Sequence, residues 1–312
     1  MLTRRLIRVK VFKELFGKVA SGSDSLMQAE KELVASCGKT VELYCFLLQL
    51  PAAIKKVAEA RIEAGLSKFR PTEEEANPNR KFVENQFIEI LENDTAFGAM
   101  CHKKGLVWGE HDSFVKKLFA SIVASDYYKE YMASPERSLK EDIALVKRIY
   151  EEELEDNAAL EEILEDTSVY WMDDLAYVVN VILKNIPAIA KKGVVDVPKT
   201  FLKDDDREYA LKLLTRSMIS YDEYTELVSS MVPNWDLERL VATDLALIVM
   251  GITEAVTFES IPLKVTINEF VDISKYYSTP NSKVFVNGLL DRILQQMVKD
   301  GKIVKSGRGL VG

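Results

Sequence analysis

Residues 235–256, WDLERLVATDLALIVMGITEAV, and residues 261–294, IPLKVTINEFVDISKYYSTPNSKVFVNGLLDRIL, decide the fold class. From Val241 to Val256 the chain is apolar, broken mainly by Thr243, Asp244, Thr253 and Glu254. A helix that is apolar around most of its circumference belongs inside a core. Pro233-Asn234 marks its start, with Asn234 or Asp236 able to accept from the unpaired N–H groups of the first turn. The next helix opens at Ile261-Pro262, where proline at the first helical position gives up an N–H that has no partner anyway. It runs to about Tyr277 and stops at Ser278-Thr279-Pro280. In the third, Phe285, Val286, Leu289, Leu290, Ile293, Leu294 and Met297 recur at the spacing of one helical face. Gly288 lies outside that stripe and costs about 1 kcal/mol relative to alanine, so either it admits a close approach or it is simply tolerated. Three helices of this kind share one core, and an all-α bundle follows.

Further out, the middle of the chain reads as more helix. Leu43 to Val57 is apolar on one side, with Pro51 placed to kink or divide it. Phe114, Val115, Leu118, Phe119, Ile122 and Val123 form a second stripe, and Leu175, Val178, Val179, Ile182, Leu183 and Ile186 a third. Loops are expected at 70–79, near Ser134-Pro135 and at 191–203. No internal repeat is visible.

At the N-terminus, Thr3 can cap a helix running to about Val19. Val9, Phe12, Leu15, Phe16 and Val19 fall on one stripe at about 100° per residue, and Arg4, Arg5 and Arg8 fall on that same stripe. The core-facing side thus turns cationic within two turns, so that end is expected to project beyond the core. Cations near a helix N-terminus cost about 0.3–1 kcal/mol each when exposed. A polyanionic partner would explain three arginines there, since the planar guanidinium fork suits phosphate. Long side chains snorkelling past the core edge would explain them too.

Composition narrows the function classes. The 312 residues allow one large or two modest domains, and a hydrophobic content of 47% suits a chain with a proper core. No uninterrupted apolar run reaches membrane-span length, and no apolar signal-peptide core follows the N-terminal arginines, so no membrane partner is expected. Cys37, Cys45 and Cys101 form neither a metal spacing nor a disulfide framework, which suits a reducing cytoplasm. A net charge of −8 argues against a protein that coats nucleic acid broadly. The charge is uneven, however: residues 1–20 hold six Lys and Arg against Glu14 alone, while 151–166 hold nine acids and no base. Either run is equally readable as a solvated face. Cys101-His102 with Glu110-His111-Asp112 matches no standard metal spacing, and no glycine-rich phosphate or cofactor loop is present. No catalytic residue, metal or cofactor is therefore expected.

The punctuation resembles one family. Arg4-Arg5-Leu6-Ile7-Arg8 followed by Lys13-Glu14-Leu15-Phe16, then Asp205-Asp206-Arg207-Glu208-Tyr209-Ala210, then Ile261 to Glu269 and Ser282 to Asp291, together resemble the NusB-type transcription antitermination factors. The resemblance covers about residues 1–20 and 204–296, and the intervening stretch is several times the family's usual middle section. It implies an all-α NusB-like core at 1–20 and 204–300, a helical insertion at 21–203 and a flexible basic tail at 301–312. It also implies pairing with a small-subunit ribosomal protein, NusE, to bind boxA-like RNA, with the RNA polymerase elongation complex reading through terminators, notably in ribosomal RNA operons. Arg4, Arg5 and Arg8 would then hold RNA, and Asn281, Ser282 and Lys283 would form a second RNA-facing patch. That second patch is equally readable as an ordinary N-cap. Phe16, Asp244 and Glu254 would meet the ribosomal partner, although an internal salt bridge would also account for the two acids. One departure stands out: Val284 occupies the place where the family usually has lysine, and Lys283 precedes it, moving the charge by about 100° on a helix. An alternative is a protein-interaction scaffold that has lost RNA binding.

Overall fold

The computed structural model describes residues 1–231 and 241–307. In chain order its helices are α1 (Arg4–Ser21), α2 (Leu26–Leu48), α3 (Leu50–Leu66), α4 (Glu73–Ala76), α5 (Gln86–Asn93) and α6 (Thr95–Lys103). A 3-10 turn at Gly109–His111 leads to α7 (Asp112–Ala124), α8 (Asp126–Ala133), α9 (Leu139–Glu153), α10 (Ala158–Thr167) and α11 (Leu175–Lys192). Then follow α12 (Asp206–Ile219), α13 (Tyr221–Met231), α14 (Ala242–Thr257), α15 (Leu263–Tyr277) and α16 (Ser282–Lys299). The fold is all-α; among the described residues the only β pairing is an isolated bridge between Leu2 and Phe201. Trp235 and the expected helix start at Pro233-Asn234 lie outside the described residues.

The chain forms two compact units. One comprises Leu2–Cys37 with Phe201–Gly312, the other Met1 with Gly38–Thr200. In the first, α14 is the central helix: Ala246 through Ile252 are all buried, as the apolar run requires. α1, α12, α15 and α16 pack around it. The glycine that permits close packing is Gly251. A Cβ there would stand 2.7 Å from Leu290 Cδ2 and 3.4 Å from Phe270 Cδ2. At Gly288, by contrast, an added Cβ would meet nothing within 4 Å, so the expected close approach by protein is at a different glycine. On α16, Val286, Leu289, Leu290, Ile293, Leu294 and Met297 are buried, as their spacing predicts.

The chain after α16 differs from the flexible tail expected there. Ile303 is buried, and Lys305 Nζ donates to the carbonyls of Ala255 and Phe258 at 2.8 and 3.0 Å. An ammonium seated on the open carbonyls at the end of α14 is favourable both as a hydrogen bond and against the helix dipole. The described residues of the tail end at Gly307, and Arg308 lies outside them.

In the second unit the core is aromatic as well as aliphatic. Trp171, Tyr44, Tyr150, Phe46, Phe82 and Phe87 are its largest fully buried apolar and aromatic side chains. Their polar atoms are paired: Tyr150 Oη donates to Leu47 O at 2.8 Å, Trp171 Nε1 to Lys39 O at 2.8 Å and Trp108 Nε1 to Phe46 O at 2.9 Å. Buried hydroxyl and indole groups need such partners. Pro51 acts as expected: the helix breaks at Gln49, and proline sits in the first turn of α3. The stretch Leu26–Leu66, which contains that break, is apolar enough over an 18-residue window to pass as a membrane span, but 61% of that window is buried inside the protein. A window average tolerates polar residues that an uninterrupted run does not.

Candidate nucleic-acid interface

Thr3 caps α1, its Oγ1 accepting from the Leu6 N–H, and fixes where the three arginines emerge. The buried face of α1 is Leu6, Ile7, Arg8, Lys10, Val11, Phe12 and Leu15. It is therefore rotated from the stripe drawn from sequence, and Val19 is left 40% exposed. The arginine-bearing end does not project beyond the core, because Leu6 and Ile7 bury their side chains there.

Each arginine meets carboxylates. Arg4 Nη2 and Nε lie 2.9 and 3.0 Å from Asp205 Oδ2 and Asp206 Oδ1, and its guanidinium sits 4.7 Å from the centroid of the Tyr209 ring. Asp206 belongs to the first turn of α12, where acids complement the helix dipole. Arg5 forms a bidentate pair with Glu269, Nε at 3.1 Å and Nη2 at 3.0 Å, and reaches Asp272 at 2.8 Å. The hydrogen bond to Glu269 is the main influence raising the Arg5 pKa, against a desolvation that lowers it.

Arg8 is different, being only 3% exposed. Its Nε and Nη2 donate to Glu254 Oε2 and Oε1 at 2.6 and 3.2 Å, and Nη1 lies 3.4 Å from Glu269. Glu254 is fully buried and also accepts from Thr266 Oγ1 at 2.7 Å and from the Tyr209 hydroxyl. Burial pulls the Arg8 pKa down, but Glu254, Tyr209 and Glu269 together carry it above the ordinary value. Burial and the adjoining Glu254 carboxylate push the Tyr209 phenol well up. The guanidinium thus keeps its charge, and the lone pairs of Glu254 are filled by Arg8, Thr266 and Tyr209, the condition under which a buried pair is tolerated. The internal salt bridge that was one reading of Glu254 is what the fold contains.

The second patch divides similarly. Ser282 is 1% exposed; its Oγ donates to Asp244 Oδ2 at 2.7 Å, and the N–H of Thr279 donates to it at 3.2 Å. Asn281 is the exposed N-cap of α16, with no side-chain capping bond, and Lys283 is exposed beside it. Asp244 is 4% exposed, and its Oδ1 has no hydrogen-bond partner among the described residues. Phe16 is half-buried, stacked on Phe12 at 6.0 Å between centroids. Of the expected interface residues, then, Arg4, Arg5, Asn281, Lys283 and Phe16 keep a surface, while Arg8, Ser282, Asp244 and Glu254 are inside the unit. Among the described residues no group of three or more His, Cys, Asp or Glu side chains is placed to hold a metal ion.

A family model described as the NusB family matches residues 189–295. The chain carries a NusB-family domain. A transcription antitermination protein NusB from Salinibacter ruber is 39% identical over 106 residues, covering 34% of this chain and 66% of that protein. One from Chloroherpeton thalassium is 31% identical over 129 residues, covering 39% of the chain and 61% of the relative. One from Natranaerobius thermophilus is 26% identical over 115 residues, covering 37% and 83%. The chain thus spans just under two thirds of the first two relatives' lengths. No solved structure matches.

Sequence reasoning missed the counter-charges of the arginines: Asp206, Glu269, Asp272 and, behind them, Tyr209 and Thr266. A signal existed in the acid run Asp204-Asp205-Asp206 and in Glu269 and Asp272 spaced i,i+3 on α15, which share a helix face.

Proposed function

We propose that the NusB-family domain, 1–20 with 204–300, makes this chain a non-catalytic, RNA-binding transcription antitermination factor that acts at the RNA polymerase elongation complex. In this reading it pairs with a small-subunit ribosomal protein of the NusE type and grips boxA-like RNA, notably in ribosomal RNA operons. The observation that carries the reading is the cluster of three arginines on the first turns of α1 in a domain whose relatives bear the name of transcription antitermination proteins. The arginines divide the work. Arg4 and Arg5 have side chains 31% and 55% exposed; their pairs with Asp205 and Asp272 face solvent, where ion pairs are worth about 0–1 kcal/mol, so RNA phosphates displace those two carboxylates at little cost while buried Asp206 keeps its bond to Arg4 Nε. Arg8 acts from beneath, holding α1 against α14 through Glu254. Lys283 and Asn281 supply the second contact. Phe16 supplies the protein-facing surface, and the unfilled Asp244 Oδ1 supports a nearby partner donor.

The test is the affinity of the full chain for boxA-like RNA, alone and with the ribosomal protein. Binding that tightens when the protein is added supports the reading. No binding in either condition overturns it. A scaffold that has lost RNA binding is favoured by one observation, that all three arginines already have carboxylate partners; capture of the ribosomal protein without RNA affinity would select it.

A further inference from the structure

The half of the chain outside the NusB-family domain contains a cavity of about 1020 Å³, formed along one face of α3 and closed by α5, α6, Val107–Gly109 and α7. The face is read directly from sequence. Gln49, Ala52, Ala53, Lys56, Val57, Ala60 and Arg61 recur at i, i+3, i+4, i+7, i+8, i+11 and i+12, which is one continuous helical stripe of about 18 Å. Such a stripe normally packs against a neighbouring element. Here three of its positions are alanine, and across the cavity Gly98 and Gly109 have open space where a Cβ would stand. Small side chains have hollowed the interface.

The floor is apolar and rigid. Leu91, Phe97, Trp108 and Val115 are buried beneath it. Trp108 is stacked on Phe46 at 4.1 Å and on Phe114 at 5.7 Å between centroids, and its indole N–H is fixed to Phe46 O. The rim is cationic. Its acids are already neutralised, Glu92 by Lys55 at 2.5 Å and Asp112 by Lys116 at 2.6 Å. Lys56 and Arg61 are exposed and in no ion pair among the described residues. An apolar trough with a few convergent polar groups has the form of a ligand site, and its volume is at the upper end of the usual range.

We propose that this cavity binds a long-chain anionic amphiphile, the apolar chain on Phe97 and Trp108 and the anionic head between Lys56 and Arg61. The burial of apolar chain supplies most of the affinity, and the two cations set the preferred sign of charge.

The full chain is titrated with dansyl-undecanoate, followed by fluorescence, with laurate, dodecanol and dodecyltrimethylammonium as competitors. Saturable one-to-one binding is expected, displaced by laurate and not by the cationic analogue. Ala53→Trp, which fills the trough from a half-buried position, should abolish binding. Lys56→Glu with Arg61→Glu should weaken dansyl-undecanoate roughly tenfold while leaving dodecanol's competition unchanged, and it keeps the test intact if the tryptophan variant fails to fold. Absence of saturable binding, equal displacement by the cationic amphiphile, or affinity indifferent to both variants overturns the proposal. So does preferential occupation by a labelled acidic amphipathic helical peptide.

Discussion

Each unit of this molecule buries a cation beside a carboxylate, and Arg8 and Lys81 do so in unlike ways. In the NusB-containing unit, Arg8 is clasped by Glu254, which also takes hydrogen bonds from Tyr209 and Thr266, so side chains from α1, α12, α14 and α15 meet at one carboxylate. In the other unit Lys81 is fully buried, but its ammonium contacts Glu141 at 2.8 Å, the Ser134 carbonyl at 3.0 Å and the Tyr131 ring at 4.3 Å to the centroid. Those partners lie close together in sequence at 131–141, and the Glu141 side chain keeps 18% exposure. The first pair ties four helices and continues outward through Glu269 to Arg5; the second fastens a single loop, Ser134 lying 53 residues from Lys81 in sequence. Buried charge is thus a four-helix lock in one unit and a loop fastener in the other.

The largest expected effect breaks the lock. Glu254→Ala leaves Arg8 buried without its counter-charge and should destabilise the NusB-containing unit by about 3–5 kcal/mol. Urea denaturation followed by a probe in that unit measures it. Arg8→Met combined with Glu254→Leu should recover much of the loss; if the double variant is as unstable as the single, the geometric account of the pair fails. Next comes Gly251→Ala, whose Cβ would stand 2.7 Å from the fully buried Leu290 Cδ2 and 3.4 Å from Phe270. Overpacking of this kind costs about 1–3 kcal/mol, whereas Gly288→Ala, with no neighbour within 4 Å, should stabilise by a few tenths up to about 1 kcal/mol. A reversed order in thermal melts would contradict the packing described for α14 and α16. Lys81→Met should cost roughly 1–2 kcal/mol, because the Glu141 left behind can reach water.

The smallest effect concerns pH. Burial, and then the neighbouring Glu32, raises the Glu14 pKa to about 7, while Glu32 is lowered to about 2 by hydrogen bonds from Lys18 and then Gln28. A carboxyl whose folded pKa is raised binds more protons folded than unfolded above its ordinary value. Its contribution to stability therefore declines as pH rises from about 4.5 towards 7 and is then lost. Glu14→Gln should flatten the decline in denaturation midpoints between pH 5 and 8; an unchanged profile would remove Glu14 from the explanation.

Much of the fold was legible because it depends on local pattern. The α16 stripe, the break before Pro51 and the Thr3 cap each follow from spacing and backbone chemistry within a few residues. The candidate site was legible only in its cations. That Glu254 interrupts an apolar helix is visible in sequence, but its guanidinium partner is 246 residues away, and periodicity carries no information about such a pairing. The same limit hid which glycine packs closely, since Gly251 and Gly288 differ only in what neighbouring helices bring to them. It also rotated α1: Leu6, Ile7 and Val11 outweigh the stripe drawn through Val9 and Val19 once Arg8 has a buried acid to meet.

The central claim is that Arg4 and Arg5 exchange carboxylates for RNA phosphates. It is tested most directly by the salt dependence of boxA-like RNA binding for the full chain and for Arg4→Gln with Arg5→Gln. Two phosphate contacts on single-stranded RNA should lower the slope of log K against log salt by about 1.4, with melting little changed. An unchanged slope in a folded, RNA-binding variant would contradict the assignment.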